Sequence, residues 1–422
     1  MLAPDGPAFQ ALVVESTQNM TLSGVKALIE YAASGLPIIL SGGNPGYYAS
    51  GNKSDKNEVE SLILTIAQSP NVSDVAVGDL ANHLLTLNLL PRISVDTNGT
   101  WYPSWRQDTQ SGIDYAYVFS DMNASTESIT VQSTKNPYRL DAWTGAITPL
   151  VVYRQTADAT TIPISLAGSE ALTLAFVNEP PRHYPAAPGK HVVETDPELS
   201  SSVHIVNGNL EIYVPALDAP GKATLSDGSS VVVDGSDVPE ASGLAKWTLT
   251  AEHWAAPEDF DDATIVADKY NETYELDGLV SWLDIPPLAN VSGIGYYTTN
   301  FTWPPDSSSY SPSESQLFGA VIYFSKILHA VTVYINGQQL STLDYNNAQK
   351  DISANLRHGT NEVPAVVPTT MWNYLQTILP DIRNAGESVE FSGGPFGSLS
   401  ELVDNGLVGT ASITPYKRVV VT

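Results

Sequence analysis

The chain contains no cysteine. That absence excludes disulfides, thiolate metal sites and cysteine nucleophiles. Cations are scarce: 19 Lys plus Arg stand against 46 Asp plus Glu in 422 residues, a formal net charge of −27. A face that neutralises phosphates needs clustered cations, so the balance argues against a nucleic acid partner and against an anionic membrane surface. No apolar run approaches the ~20 residues that cross a bilayer, so no transmembrane helix is expected. Residues 1–20 hold neither a basic n-region nor an apolar h-region, so no signal peptide is read there. Catalytic signatures are missing as well. The seven histidines (His83, His183, His191, His204, His253, His329 and His358) are never spaced i, i+4. Neither His-Glu-x-x-His nor Gly-x-Ser-x-Gly occurs, so no metal, no cofactor and no catalytic residue is expected.

What is present describes a folded, turn-rich protein. Hydrophobic residues make up 42%, with 30 Gly and 29 Pro, a composition unlike that of a disordered chain. At roughly 150 residues per domain the length suggests about three domains. Residues 1–97 read as a small α/β unit with a parallel sheet. Ala11–Val14 and Pro37–Leu40 are buried-strand runs. Leu22, Val25, Leu28, Ile29 and Ala32 share one helical face, with Thr21 or Ser23 able to cap it. Val59, Leu62, Ile63 and Ile66 mark a second helix, a strand is expected at 75–77, and Leu80, Leu84 and Leu87 mark a third helix. From 98 the apolar period becomes two, as at Tyr115, Tyr117 and Phe119, which predicts a β-sandwich over 98–180. Residues 181–243 read as a Pro-rich linker followed by hairpins turning at Asn207-Gly208 and Asp227-Gly228. Residues 244–422 form a further β-rich unit, with Asn336-Gly337 as another tight turn and a low-complexity stretch at 305–315.

Candidate sites are few. Ser41–Gly46 is glycine-rich but lacks the order of a phosphate cradle and reads as a surface loop. Glu258–Asp262 could offer oxygen ligands to Ca²⁺, but it lacks EF-hand spacing and reads as an acidic solvated loop. Trp101, Tyr102, Trp105 and Arg106 form the densest aromatic cluster. Aromatic faces stack on the C–H faces of sugars while a nearby Arg bonds hydroxyls, so these four are the candidate carbohydrate contacts. Packing at an interdomain seam is the alternative, since aromatics carry the largest apolar area. Asn-x-Ser/Thr sequons at Asn19, Asn52, Asn71, Asn98, Asn123, Asn271, Asn290 and Asn300 are candidate glycosylation sites and lean towards an extracellular protein.

The C-terminal unit carries a resemblance. Ser292-Gly293-x-x-x-Tyr297-x-x-x-Phe301 resembles the opening strand of galactose-binding-like jelly rolls. Tyr334–Leu340 is similar to their V-x-V-N-G-x-x-L hairpin, and Asp351–Val363 to their D-I-T-x-x-L-x-x-G-x-N-x-L segment. Thr369–Leu375 resembles the T-N-x-x-x-N-R-L that closes this domain in α-L-rhamnosidases of glycoside hydrolase family 106, with Tyr374 where Arg is common. Asp114–Phe119 and Asp141–Leu150 resemble that family's sandwich, and 10–40 its α/β domain, leaving 181–243 unassigned. The resemblance implies a mainly β, multidomain chain ending in a galactose-binding-like jelly roll. It implies the C-terminal accessory portion of a secreted α-L-rhamnosidase-like enzyme acting on rhamnose-containing plant polysaccharide, with the catalytic barrel upstream. The family's catalytic glutamates lie in that barrel, and no position here matches their motif. A (β/α)₈ barrel takes ~250 residues, more than the α/β region holds. A free-standing carbohydrate-binding protein remains the alternative.

Overall fold

The computed structural model describes residues 9–48, 54–121, 123–199, 202–259, 264, 266–305, 318–384 and 401–421. Most of the 305–315 stretch and the end of the acidic run at 258–262 lie outside the described residues. The chain is mainly β and multidomain, with 46% strand and 14% helix. It divides into two compact units, 1–92 and 93–422.

In the first unit, strands Leu12–Glu15, Ile38–Ser41 and Val72–Val75 form a parallel sheet with Ile38–Ser41 at its centre. Ile38, Ile39 and Leu40 are all buried, as a parallel strand covered on both faces requires. Helix Leu22–Ala33 starts where Thr21 Oγ1 accepts from the Gly24 N–H at 3.1 Å, a cap that stabilises by about 1 kcal/mol. Val25, Leu28 and Ala32 are its buried stripe, and helix Ser54–Ile66 adds Val59, Ile63 and Ile66 to the same core. The third strand lies three residues earlier than the apolar run at 75–77 suggests. It is an edge strand that exposes Asp74, and Val77–Asp79 turns instead into helix Leu80–Thr86.

The second unit opens with two antiparallel sheets packed face to face. Five strands run in the order Ile147–Pro149, Asn136–Leu140, Ala171–Val177, Asp114–Asp121, Thr100–Gln107. Four run Arg154–Gln155, Thr160–Leu166, Ser125–Val131, Ile93–Asp96. Because Ile93–Asp96 pairs with Ser125–Val131, this unit begins at residue 93. Val118, Ile129, Ile162, Leu174 and Phe176 fill the space between the sheets.

Residues 192–233 contribute five strands with a core of their own around Val192, Ile212, Ala223 and Val233. Asn207 and Gly208 turn the first hairpin at φ +51° and +83°, the left-handed geometry a two-residue hairpin turn demands. Strand Asn209–Val214 then pairs with the end of the long C-terminal strand Val408–Val421, whose earlier half pairs with Phe318–Lys326. One strand therefore welds the middle segment to the jelly roll. The opposing sheet runs Asp268–Leu276, Trp247–Ala255, Gly293–Trp303, Gly359–Pro368, Thr332–Ile335, Gln338–Gln339. Between them lie Trp247, Leu249, Trp282, Tyr297, Ile322 and Phe324.

Candidate functional site

Strand Thr100–Gln107 carries all four aromatic-cluster candidates, and strand geometry separates them. Side chains alternate between faces along a strand. Trp101 and Trp105 share the inner face, four residues apart. Trp101 is 7% exposed and its indole Nε1–H donates to Ser125 Oγ at 2.8 Å. Trp105 lies 5.9 Å from the Phe176 ring centroid, against the sandwich core. These two indoles are packing residues, and no sugar reaches the face of Trp101. Tyr102 and Arg106 point the other way and are exposed.

The outer face they belong to is aromatic across two strands. Cross-strand register places Tyr102 beside Phe119, Ser104 beside Tyr117, and Arg106 beside Tyr115. The next strand adds Thr173 opposite Tyr117 and Ala175 opposite Tyr115. Tyr102 is 55% exposed and Tyr117 44%. Inward, Ala116 and Ser120 are small and Val118 fills the core, while the three rings of this strand, Tyr115, Tyr117 and Phe119, lie on its outer face.

One end of the face is roofed. The Tyr138 hydroxyl donates to the Pro185 carbonyl at 3.0 Å, and the Tyr184 ring meets Tyr138 edge-on at 5.1 Å. Tyr138 is fully buried beneath this Pro-rich segment, which packs with Ile113, Ala175 and Val177. Burial pushes the Tyr138 and Tyr184 phenols upward in pKa. What remains open is a shallow shelf: Tyr102, Phe119 and Tyr117 as floor, Ser104, Thr173 and Arg106 as polar fringe, and the 181–187 segment as rim. Uncharged ring faces beside hydroxyls and one guanidinium suit a neutral ligand with apolar and hydroxylated faces.

The jelly-roll motifs read from sequence are structural. Tyr297 is fully buried; its oxygen accepts from Trp282 Nε1–H at 2.8 Å and from the Leu407 N–H at 3.0 Å. Asn361 is fully buried and makes four hydrogen bonds. Its oxygen accepts from Asn336 Nδ2 and the Arg357 N–H, while its nitrogen donates to the Arg357 and Gly359 carbonyls. Asn373 ties the Ala289 and Val403 carbonyls to the start of helix Trp372–Asn384. Tyr374 accepts from the Ala256 N–H at 2.7 Å and meets His253 edge-on. Gly293 stands at φ +153°, where a Cβ would lie 2.0 Å from the Glu252 carbonyl oxygen. Gly293, Tyr297, Asn361 and Asn373 are buried, and Tyr374 is half-buried.

Of the sequons, Asn19, Asn98, Asn123, Asn271, Asn290 and Asn300 are exposed. Asn71 is half-buried, and both hydrogens of its amide are committed, to the Ala32 carbonyl at 3.1 Å and the Leu36 carbonyl at 2.6 Å. Asn52 lies outside the described residues. Among the described residues, no group of three metal-ligating side chains converges, and no helix is long and apolar enough to cross a membrane.

No protein-family profile matches the chain, and no curated protein sequence matches it. Solved structures do. The rhamnosidase from Novosphingobium sp. PP1Y is similar over 96% of this chain, with a TM-score of 0.52 and 18% identity. The β-glucuronidase of Ruminococcus gnavus aligns with 42% of this chain and 28% of its own, at a TM-score of 0.25 and 16% identity. The Faecalibacterium prausnitzii β-glucuronidase aligns with 42% of this chain and 32% of its own, at a TM-score of 0.26 and 14% identity. The fold is thus rhamnosidase-like, and the chain spans about a third (33%) of the rhamnosidase's length.

Proposed function

We propose that this chain is the accessory, carbohydrate-contacting part of a secreted α-L-rhamnosidase-like glycoside hydrolase of the family 106 kind, working beside a catalytic barrel on rhamnose-containing plant polysaccharide. The observation that carries the reading is the likeness of nearly the whole chain, 96%, to one third of a rhamnosidase. Two features of the chain support it. The α/β unit holds a three-stranded sheet among its described residues, not the eight strands that ring a barrel's catalytic carboxylates. The Tyr102–Tyr117–Phe119 shelf offers stacking surface with Arg106 beside it. On this reading the sandwich and jelly roll buttress the barrel, and the shelf holds polymer near it. The motifs at Tyr297, Asn361 and Asn373 then serve to keep the jelly roll rigid.

The direct test is catalytic. The purified 422-residue chain, incubated with an aryl α-L-rhamnoside, is expected to release no chromophore above the buffer rate. Turnover at ordinary enzyme rates, roughly 1 per second or faster, would overturn the accessory role. The second reading is a free-standing carbohydrate-binding protein. The open aromatic shelf favours it equally, and it differs in needing no catalytic partner: co-expression with a family barrel would then leave rhamnosidase activity unchanged.

A further inference from the structure

A cleft of about 700 Å³ opens between the sandwich and the sheet shared by the middle segment and jelly roll. It shares none of the shelf's floor residues, and Pro185, in the shelf's rim segment, borders both. Its volume falls within the ~300–1,000 Å³ typical of small-molecule sites, which often sit between domains. The sandwich supplies edge residues from Ile147–Val152 and Ile162–Ala167. The middle hairpin supplies Val203–Ile205, and the jelly roll supplies Asn347 and Gln349.

The polar groups converge at one end. Glu170 is 2% exposed. One of its oxygens accepts from the Ala167 N–H at 2.8 Å; the other lies 3.8 Å from the Arg139 guanidinium, too far for a direct hydrogen bond. The Asn347 side chain bonds the same carboxyl group. Burial, with the Asp344 carboxylate adding to it, pushes the Glu170 carboxyl upward in pKa against the pull of Arg139. The walls are aliphatic, including Pro149, Ile164 and Leu172.

Two contacts hold the modules together beside this group. Asn346 Nδ2 donates to the Ser169 carbonyl at 2.8 Å, and the Trp143 and Tyr345 rings meet edge-on at 5.0 Å. A molecule in the cleft would touch both sides of this clasp.

We propose that this cleft binds a neutral saccharide unit, held by Arg139, Glu170, Asn347 and Gln349 against the aliphatic walls, and that it is a second carbohydrate site distinct from the shelf. The inference rests on the carbohydrate reading above and adds to it a location and a charge class. One guanidinium facing one carboxylate leaves the lining without net charge, and the chain is strongly acidic. An anionic ligand drawn to Arg139 would compete with Glu170 for it, and the chain's strong negative charge opposes its approach. Hydroxyl groups both donate and accept, so they satisfy a carboxyl, a guanidinium and two amides at once. Aliphatic walls match the C–H faces of a pyranose.

The test titrates the full chain with methyl α-L-rhamnoside, methyl β-D-glucoside and inorganic phosphate, by saturation-transfer NMR and calorimetry. Arg139→Gln removes the cation, and Thr148→Trp fills the mouth from an exposed cleft-lining position paired directly with Arg139. Tyr117→Ala alters only the shelf. At least one glycoside is expected to bind and to weaken tenfold or more in both cleft variants, while any share of binding that Tyr117→Ala removes belongs to the shelf. Phosphate is expected not to compete. Glycoside binding that vanishes in Tyr117→Ala but survives both cleft variants would overturn the cleft and leave the carbohydrate reading standing. Competition by phosphate would overturn the neutral class. A chain with intact melting behaviour that binds no saccharide or plant polysaccharide would overturn both.

Discussion

Tyr297→Phe removes one oxygen atom from the centre of the jelly roll, and its cost can be worked from the surroundings. Tyr297, Trp282 and Leu407 are each 1% exposed or less. The hydroxyl is the acceptor for two N–H groups, Trp282 Nε1 at 2.8 Å and the Leu407 backbone at 3.0 Å. Burial pushes this phenol up to about 12, so it is present as the neutral hydroxyl throughout the working range. Phenylalanine keeps the ring but leaves both donors without a partner or access to water. Each stranded buried donor costs ~1–3 kcal/mol, so the variant is expected to lose about 2–5 kcal/mol. Tyr102→Phe is the matched control: at 55% exposure its hydroxyl is solvated, and the expected change is within ~0.5 kcal/mol. Urea denaturation followed by tryptophan fluorescence and near-ultraviolet circular dichroism measures both. A Tyr297→Phe midpoint indistinguishable from that of Tyr102→Phe would refute the assignment of this motif tyrosine as a buried two-fold acceptor.

Three further outcomes are expected. Gly406→Ala should cost ~3 kcal/mol or prevent folding, because the residue sits at φ +88° and a Cβ would lie 2.5 Å from the Tyr297 oxygen; a soluble variant with unchanged melting would contradict this. Desolvation holds the buried His253 imidazole below its ordinary value of 6.5. Above that pH both states are neutral and nothing is lost. As pH falls below it, the unfolded chain takes up the proton first, so stability declines until the folded-state value is passed. His253→Gln should therefore flatten the dependence of the denaturation midpoint between pH 7 and 5; an unchanged slope would count against it. Secreted from a glycosylating host, the chain should carry glycan at exposed sequons such as Asn271 and Asn300 but not at Asn71, whose amide hydrogens hold the Ala32 and Leu36 carbonyls. Peptide mass mapping after enzymatic deglycosylation reads this directly.

Much of the local structure is legible in the sequence, because local physics decides it. Thr21 caps its helix, Val25, Leu28 and Ala32 line one face, and Asn207-Gly208 and Asn336-Gly337 turn hairpins as their tolerance of positive φ predicts. The pairing of Asn209–Val214 with Lys417–Val421 is not legible, since some 200 residues of chain separate two strands with no local signal of each other. This is why 181–243 reads as hairpins without a partner. The aromatic cluster at 101–106 is half legible. Its composition is plain, but grouping neighbours in sequence ignores the alternation of a strand, which buries Trp101 and frees Tyr102. Tyr117 is legible too: Tyr115, Tyr117 and Phe119 alternate with Ala116, Val118 and Ser120, so the period of two puts all three rings on one face.

Binding to polysaccharide through the open shelf tests the account most directly. Each half-exposed ring offers about 50 Å² of apolar face to a sugar, or ~1.2 kcal/mol at ~25 cal/mol/Å². The double variant Tyr102→Ala/Tyr117→Ala is therefore expected to weaken binding to a rhamnose-containing plant polysaccharide roughly 50-fold, with its melting temperature unchanged. Calorimetric titration that finds equal affinity in the double variant and the unaltered chain would contradict the claim that this face meets carbohydrate.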